Sequence, residues 1–162
     1  MIASCACGSV EFDAIGAPIV AAVCYCDDCQ AGANLIQALP EAAPVQDAEG
    51  GTAYLLYRKD RVACTKGALH LKGLKIRNKS ATNRVVASCC NSAMVLNFDD
   101  GKPWVSVYRV RCEGAPAPQM RINTRFRPGN DPLPKDMPSY TGFPLTFAAK
   151  IVGAWMGRLI GR

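Results

Sequence analysis

The chain has 162 residues, 49% of them hydrophobic and 20% charged, with nine cysteines and a net charge of +6. That length and balance fit one globular domain with a substantial core and exclude a chain that is disordered throughout. The cysteine count is odd, no apolar run approaches the ~18 residues of a membrane span, and "MIASCACGSV" lacks the basic start and apolar stretch of a secretory leader. A cytoplasmic location is therefore expected, with thiols gathered to hold metal instead of a disulfide framework.

Taken in order, "ASCACGSVEFDA" (3–14) and "APIVAAVCYC" (17–26) both read as strands, joined at "AIGAP" into a hairpin. A turn centred near Ile15 and Gly16 sets Cys5 opposite Cys26 and Cys7 opposite Cys24, so that four thiols gather at one end of a ribbon. "CDDCQAGANLIQAL" continues as a short helical or turn segment, in which Asp27 and Asp28 suit a turn or could assist proton transfer. "PEAAPVQDAEGG" is a loop. Short extended pieces follow at "TAYLLYR", "RVACT", "ALHLKGLKI", "NRVVASCC", "AMVLNF" and, after the turn "DDGKP", "WVSVYRVRC".

Charge is divided along the chain. Residues 1–57 contain seven acids and no Lys or Arg, whereas residues 58–84 contain nine bases. Those bases form either a surface for an anion or ordinary solvated strand faces. No aromatic residue interrupts them to stack on bases, so no nucleic-acid partner is expected. His70, the sole histidine, falls in the alternating "ALHLKG" and reads as a half-exposed strand residue. Cys64 and Cys112 are isolated and read as small core residues.

Residues 113–144 hold seven of the eleven prolines and are expected to form an extended arm without regular structure. The last segment, "LTFAAKIVGAWMGRLIGR" (145–162), reads as an amphipathic helix. Its apolar face comprises Ile151, Val152, Trp155, Met156, Leu159 and Ile160, with Lys150, Arg158 and Arg162 on another. Gly153, Gly157 and Gly161 recur every fourth residue and permit close approach of a second backbone. That helix is expected to pack on its own domain or on a second copy in a homo-oligomer, with a membrane surface as the alternative contact.

Seven of the nine cysteines cluster as Cys5/Cys7, Cys24/Cys26/Cys29 and Cys89/Cys90. Close pairs let a short loop supply two of the four ligands of a tetrahedral zinc. The segments "CACGSVEF" (5–12), "CYCDDC" (24–29) and "RVVASCCNSAM" (84–94) together resemble the glutathione-dependent formaldehyde-activating enzymes and their relatives, which include centromere protein V. "CYCDDCQ" (24–30), "GGT" (50–52) and "CC" (89–90) together are most similar to an uncharacterised branch of that family.

The resemblance implies a mostly β, tent-like fold of small antiparallel sheets stapled by zinc. It covers about residues 4–112, which sets domain limits of 1–112 for the zinc-binding β domain, 113–144 for the arm and 145–162 for the helix. Two zinc ions are implied: a structural one held by Cys5, Cys7 and Cys90, and one with an open position at Cys24, Cys26 and Cys29. At the family's other late cysteine this chain has Ala87, and Cys89, two residues on in an extended strand, is the expected substitute. Asn91 stands at a family glycine, and Tyr25 replaces a common histidine while pointing away from the thiols.

The implied activity is that of a carbon–sulfur lyase acting on a small thiol adduct of the glutathione type, with no catalytic side chain assigned. Spacing alone leaves a single zinc on the four hairpin thiols open, with Cys89 and Cys90 merely buried. It also leaves open a non-catalytic, zinc-stapled binding module that uses the basic surface or the terminal helix.

Overall fold

A computed structural model describes residues 1–159 of the chain. The expected helix positions Ile160, Gly161 and Arg162 lie outside the described residues. Among the described residues, ten strands make two sheets, and the protein is mostly β as expected. The small sheet comprises β1 (Ile2–Ser4), β2 (Glu11–Ala14) and β5 (Val62–Lys66), all antiparallel. The large sheet has seven strands in the order β10-β3-β4-β9-β8-β7-β6. These are β3 (Val20–Cys24), β4 (Thr52–Arg58), β6 (Leu71–Leu74), β7 (Thr82–Ala87), β8 (Ser92–Phe98), β9 (Trp104–Tyr108) and β10 (Met120–Ile122).

The large sheet is buried on both faces, and alternate residues of each strand feed two cores. Ala21, Leu55, Met94, Val105 and Val107 meet Ala3, Val10 and Phe12 of the small sheet. On the opposite face, Val20, Ala22, Leu56, Leu96 and Tyr108 pack beneath two helices, α1 (Asp27–Gln37) and α2 (Leu145–Leu159). Strand β3 is buried at all five positions, which explains its unbroken apolar run in place of alternation.

The expected hairpin between residues 3–14 and 17–26 does not form. The chain turns back at residues 5–8 instead, where Gly8 has φ +71° and its N–H donates to the Cys5 carbonyl at 3.0 Å. β2 therefore pairs with β1 and β5, while β3 crosses to the other sheet and pairs with β4. Cys5 and Cys7 thus lie in a turn and not on a strand facing Cys24 and Cys26. His70 likewise lies outside the strands, exposed at the end of a single 3-10 turn.

The proline-rich segment 113–144 carries more structure than expected. Within it, β10 runs parallel to β3 with Ile122 beside Cys24, and residues 138–140 bond to its other side through Arg121. Arg121 is buried, and its guanidinium holds Asp136 through two contacts of 2.7 and 3.3 Å. In α2, Phe147 is the buried anchor, so the inward line becomes Phe147, Ile151 and Ala154. Val152 and Met156, expected on the buried face, are consequently exposed. Among the described residues, no helix is long and apolar enough to cross a membrane.

The Arg121 guanidinium beside Asp136 holds that carboxyl below its ordinary range. A depressed folded-state value stabilises above the unfolded value of about 3.9 and is lost as pH falls through the lowered one. Thermal melts of Asp136→Asn should therefore lie below the wild-type curve at neutral pH, and the two should converge in acid below about pH 4.

Candidate metal centres

Two groups of thiols emerge: Cys5, Cys7, Cys89 and Cys90, and separately Cys24, Cys26 and Cys29, each with its sulfurs within 4.8 Å of one another. No cysteine is in a disulfide. A single four-thiol site on the N-terminal hairpin is therefore ruled out by topology, since Cys5 and Cys7 sit against the β7–β8 turn.

In the first group the Sγ atoms of Cys5 and Cys7 are 3.6 Å apart, those of Cys7 and Cys89 3.4 Å, and those of Cys5 and Cys89 3.9 Å. Cys89 and Cys90 are also 3.9 Å apart. A zinc–sulfur bond of about 2.3 Å gives a tetrahedron with edges of roughly 3.8 Å, so the four thiols fit a tetrahedral ion with no open position. Backbone and hydroxyl donors support charge on the sulfurs: the Val10 N–H donates to Cys5 Sγ at 3.2 Å, and Ser92 Oγ lies 3.2 Å from Cys90 Sγ. Hydrogen bonding with Ser9 brings the Cys7 thiol down to about 6.

Cys89 joins the group by a different route from the expected extended strand. β7 ends at Ala87, in the core, and residues 88–91 turn tightly enough to swing both cysteines to the same side. Asn91 takes φ +52° there, a left-handed conformation that asparagine tolerates better than most residues and that glycine adopts freely.

The second group is built by a strand end and one helical turn. Cys24 closes β3, Cys26 is the extended N-cap residue of α1, and Cys29 opens the buried stripe Cys29, Gly32, Ala33 and Ile36. Asp27 and Asp28 occupy the first helical turn, where their charges complement the helix dipole. Asn123, just past β10, directs its Nδ2 to Cys24 Sγ at 3.6 Å. Tyr25 points the other way, its hydroxyl 3.4 Å from Asp47. The three sulfurs oppose one another electrically: hydrogen bonds from Cys26 and Cys29 hold Cys24 down to about 3, while the contact with Cys24 raises Cys26 and the contacts with Cys24 and Cys26 push Cys29 well up. A bound cation would relieve that opposition and let all three ionise.

These three thiols form one end of a cavity of about 390 Å³. Asp28, Arg84 and Lys102 line it together with Tyr54, Trp104 and Phe147. Arg84 is the feature that composition concealed. It counts among the nine bases of residues 58–84, yet it is completely buried. Its Nη2 donates to the Asp28 carbonyl, its Nη1 lies 3.4 Å from Thr82 Oγ1, and it pairs with no carboxylate among the described residues. A buried guanidinium without a carboxylate partner matches a neighbouring cluster that carries net negative charge once three thiolates hold a divalent ion. Alternation with Val86, inward on the same face of β7, was the one signal for it. Cys64 and Cys112 lie outside both groups.

Two outcomes test this construction. Cys7→Ser and Cys26→Ser should each lose about one metal equivalent while the other group stays loaded, read by metal analysis after gel filtration. A Cβ on Gly32 would come within 1.8 Å of Arg84 Nε. Gly32→Ala should therefore displace the guanidinium and destabilise the protein by about 1–3 kcal/mol in chemical denaturation.

The family model of the glutathione-dependent formaldehyde-activating enzyme matches residues 1–125. A crystal structure of a Rhodobacter sphaeroides protein has a similar fold, with a TM-score of 0.51 and 17% identity over 72% of this chain and 91% of that one. The search of curated proteins found no match. With its cysteine segments folded into two metal-competent groups inside the matched region, this chain belongs to the glutathione-dependent formaldehyde-activating enzyme family.

Proposed function

We propose that the protein is a zinc-dependent carbon–sulfur lyase that cleaves or forms the adduct of a thiol with a small aldehyde. The four-thiol group would hold a structural zinc and the three-thiol group a catalytic one. What carries this reading is the juxtaposition of three convergent sulfurs, with no fourth His, Cys, Asp or Glu in the group among the described residues, and a cavity that opens directly onto them. Bound there, zinc would supply a Lewis acid able to stabilise a thiolate sulfur.

The chain's own residues supply the remainder. Cys24, Cys26 and Cys29 would hold the ion, and Asn123 orients Cys24. Arg84 offsets the negative charge that gathers around the sulfurs, within a site that the sheet and α2 shield from water. Asp28 is exposed at the cavity edge and is the carboxylate placed to take a proton. In cleavage of an S-hydroxymethyl thiol, the hydroxyl proton passes to Asp28, the carbon–oxygen bond becomes a carbonyl, and the carbon–sulfur bond breaks with its electron pair remaining on sulfur. Condensation is the reverse.

Formaldehyde release from S-hydroxymethyl thiols, followed with a carbonyl reagent, tests the reading. Asp28→Asn should keep its metal and lose roughly 10²–10⁴-fold in rate. A metal-loaded wild type that releases no aldehyde faster than buffer would favour the non-catalytic, metal-stapled module instead.

A further inference from the structure

We infer that the cavity beside Cys24, Cys26 and Cys29 selects a thiol bearing a compact apolar or aromatic group, and that Phe143 and Phe147 impose this preference. The inference rests on the reading of the three-thiol group as an open metal site. Both phenylalanines lie beyond the family-matched residues 1–125, so this wall of the cavity lies outside the matched region. Their rings pack against each other with centroids 5.2 Å apart. Phe147 is buried in the first turn of α2, while Phe143 is 64% exposed at the cavity edge.

The sheet side of the cavity is also largely apolar, formed by Leu56, Leu96, Phe98 and Trp104. Phe98 and Trp104 meet edge to face at 5.7 Å. An apolar group on the thiol gains by leaving water for such walls, and an aromatic one gains further from ring contacts.

A peptide thiol such as glutathione brings two carboxylates and an ammonium, and each needs compensation on entering an apolar cavity. Among the described residues two cations line it, and both are engaged. Arg84 donates to the Asp28 carbonyl and to Thr82, while Lys102 pairs with Asp100 and lies 5.0 Å from the Phe98 ring centre. Asp28 at the edge repels an entering carboxylate.

The full-length protein loaded with cobalt(II) in place of zinc tests this through the sulfur-to-cobalt absorption of added thiols. Phenylmethanethiol should bind more tightly than glutathione by at least about tenfold, the worth of a modest desolvation difference. Phe143→Ser alters an exposed residue and should still fold. It should weaken phenylmethanethiol by roughly tenfold, as expected for losing an aromatic contact, while leaving ethanethiol unchanged. Phe147→Leu keeps a large apolar side chain at the buried position and should weaken the aromatic thiol selectively as well. Glutathione binding as tightly as phenylmethanethiol, or a Phe143→Ser protein with an unaltered ratio, would overturn the inference and leave the open metal site standing. Absence of a new cobalt band with every thiol would remove the open site and the inference together.

Discussion

Three sulfurs held within 4.8 Å of one another in a largely buried place cannot all carry charge unaided. The unequal acidities of the trio express that constraint: Cys24 is strongly acidified while Cys26 is raised and Cys29 is pushed well up. A cation is the simplest relief, and the surrounding fold is arranged as though to retain one. β3 fixes Cys24 because all five of its residues are locked in the core, and α1 fixes Cys29 because that residue begins its buried stripe. Arg84 supplies positive charge from β7, close enough for its guanidinium to bond to the backbone of α1.

The two thiol groups occupy different mechanical settings. Cys5, Cys7, Cys89 and Cys90 join the β1–β2 turn to the β7–β8 turn, tying the small sheet to the large one. A closed tetrahedral ion there would replace hydrophobic contacts that two short turns cannot provide. The trio, by contrast, lies at the end of a strand beneath a helix and borders a cavity. Closure suits stapling, and an accessible fourth position suits chemistry.

The C-terminal part of the chain finishes the site instead of forming a separate appendage. β10 pairs with β3 and brings Asn123 to Cys24, while the residues after it carry Phe143 and Phe147 over the cavity. Proline-rich composition suggested an arm without regular structure, yet three residues between the prolines suffice for a parallel edge strand. The buried Arg121 then holds the following segment through Asp136. Composition reports the average of a segment and cannot reveal a pairing that depends on the free edge of β3.

Local chemistry was legible in the chain itself. The spacing C-x-C-x-x-C converges because a strand end and the first helical turn are both short-range structures, and the β character of residues 52–112 followed from branched and aromatic residues between turns. The partner of each cysteine pair was not legible. Nothing in residues 3–26 indicates that Gly8 reverses the chain, sending β3 into a second sheet and leaving Cys5 and Cys7 to meet Cys89 and Cys90. The same holds for Arg84, which has the composition of a surface base and the position of a core residue, and for Phe147, whose anchoring rotates α2 away from its expected face. Those outcomes were decided by which surfaces the two sheets cover when they pack, a long-range competition that residue order alone does not resolve.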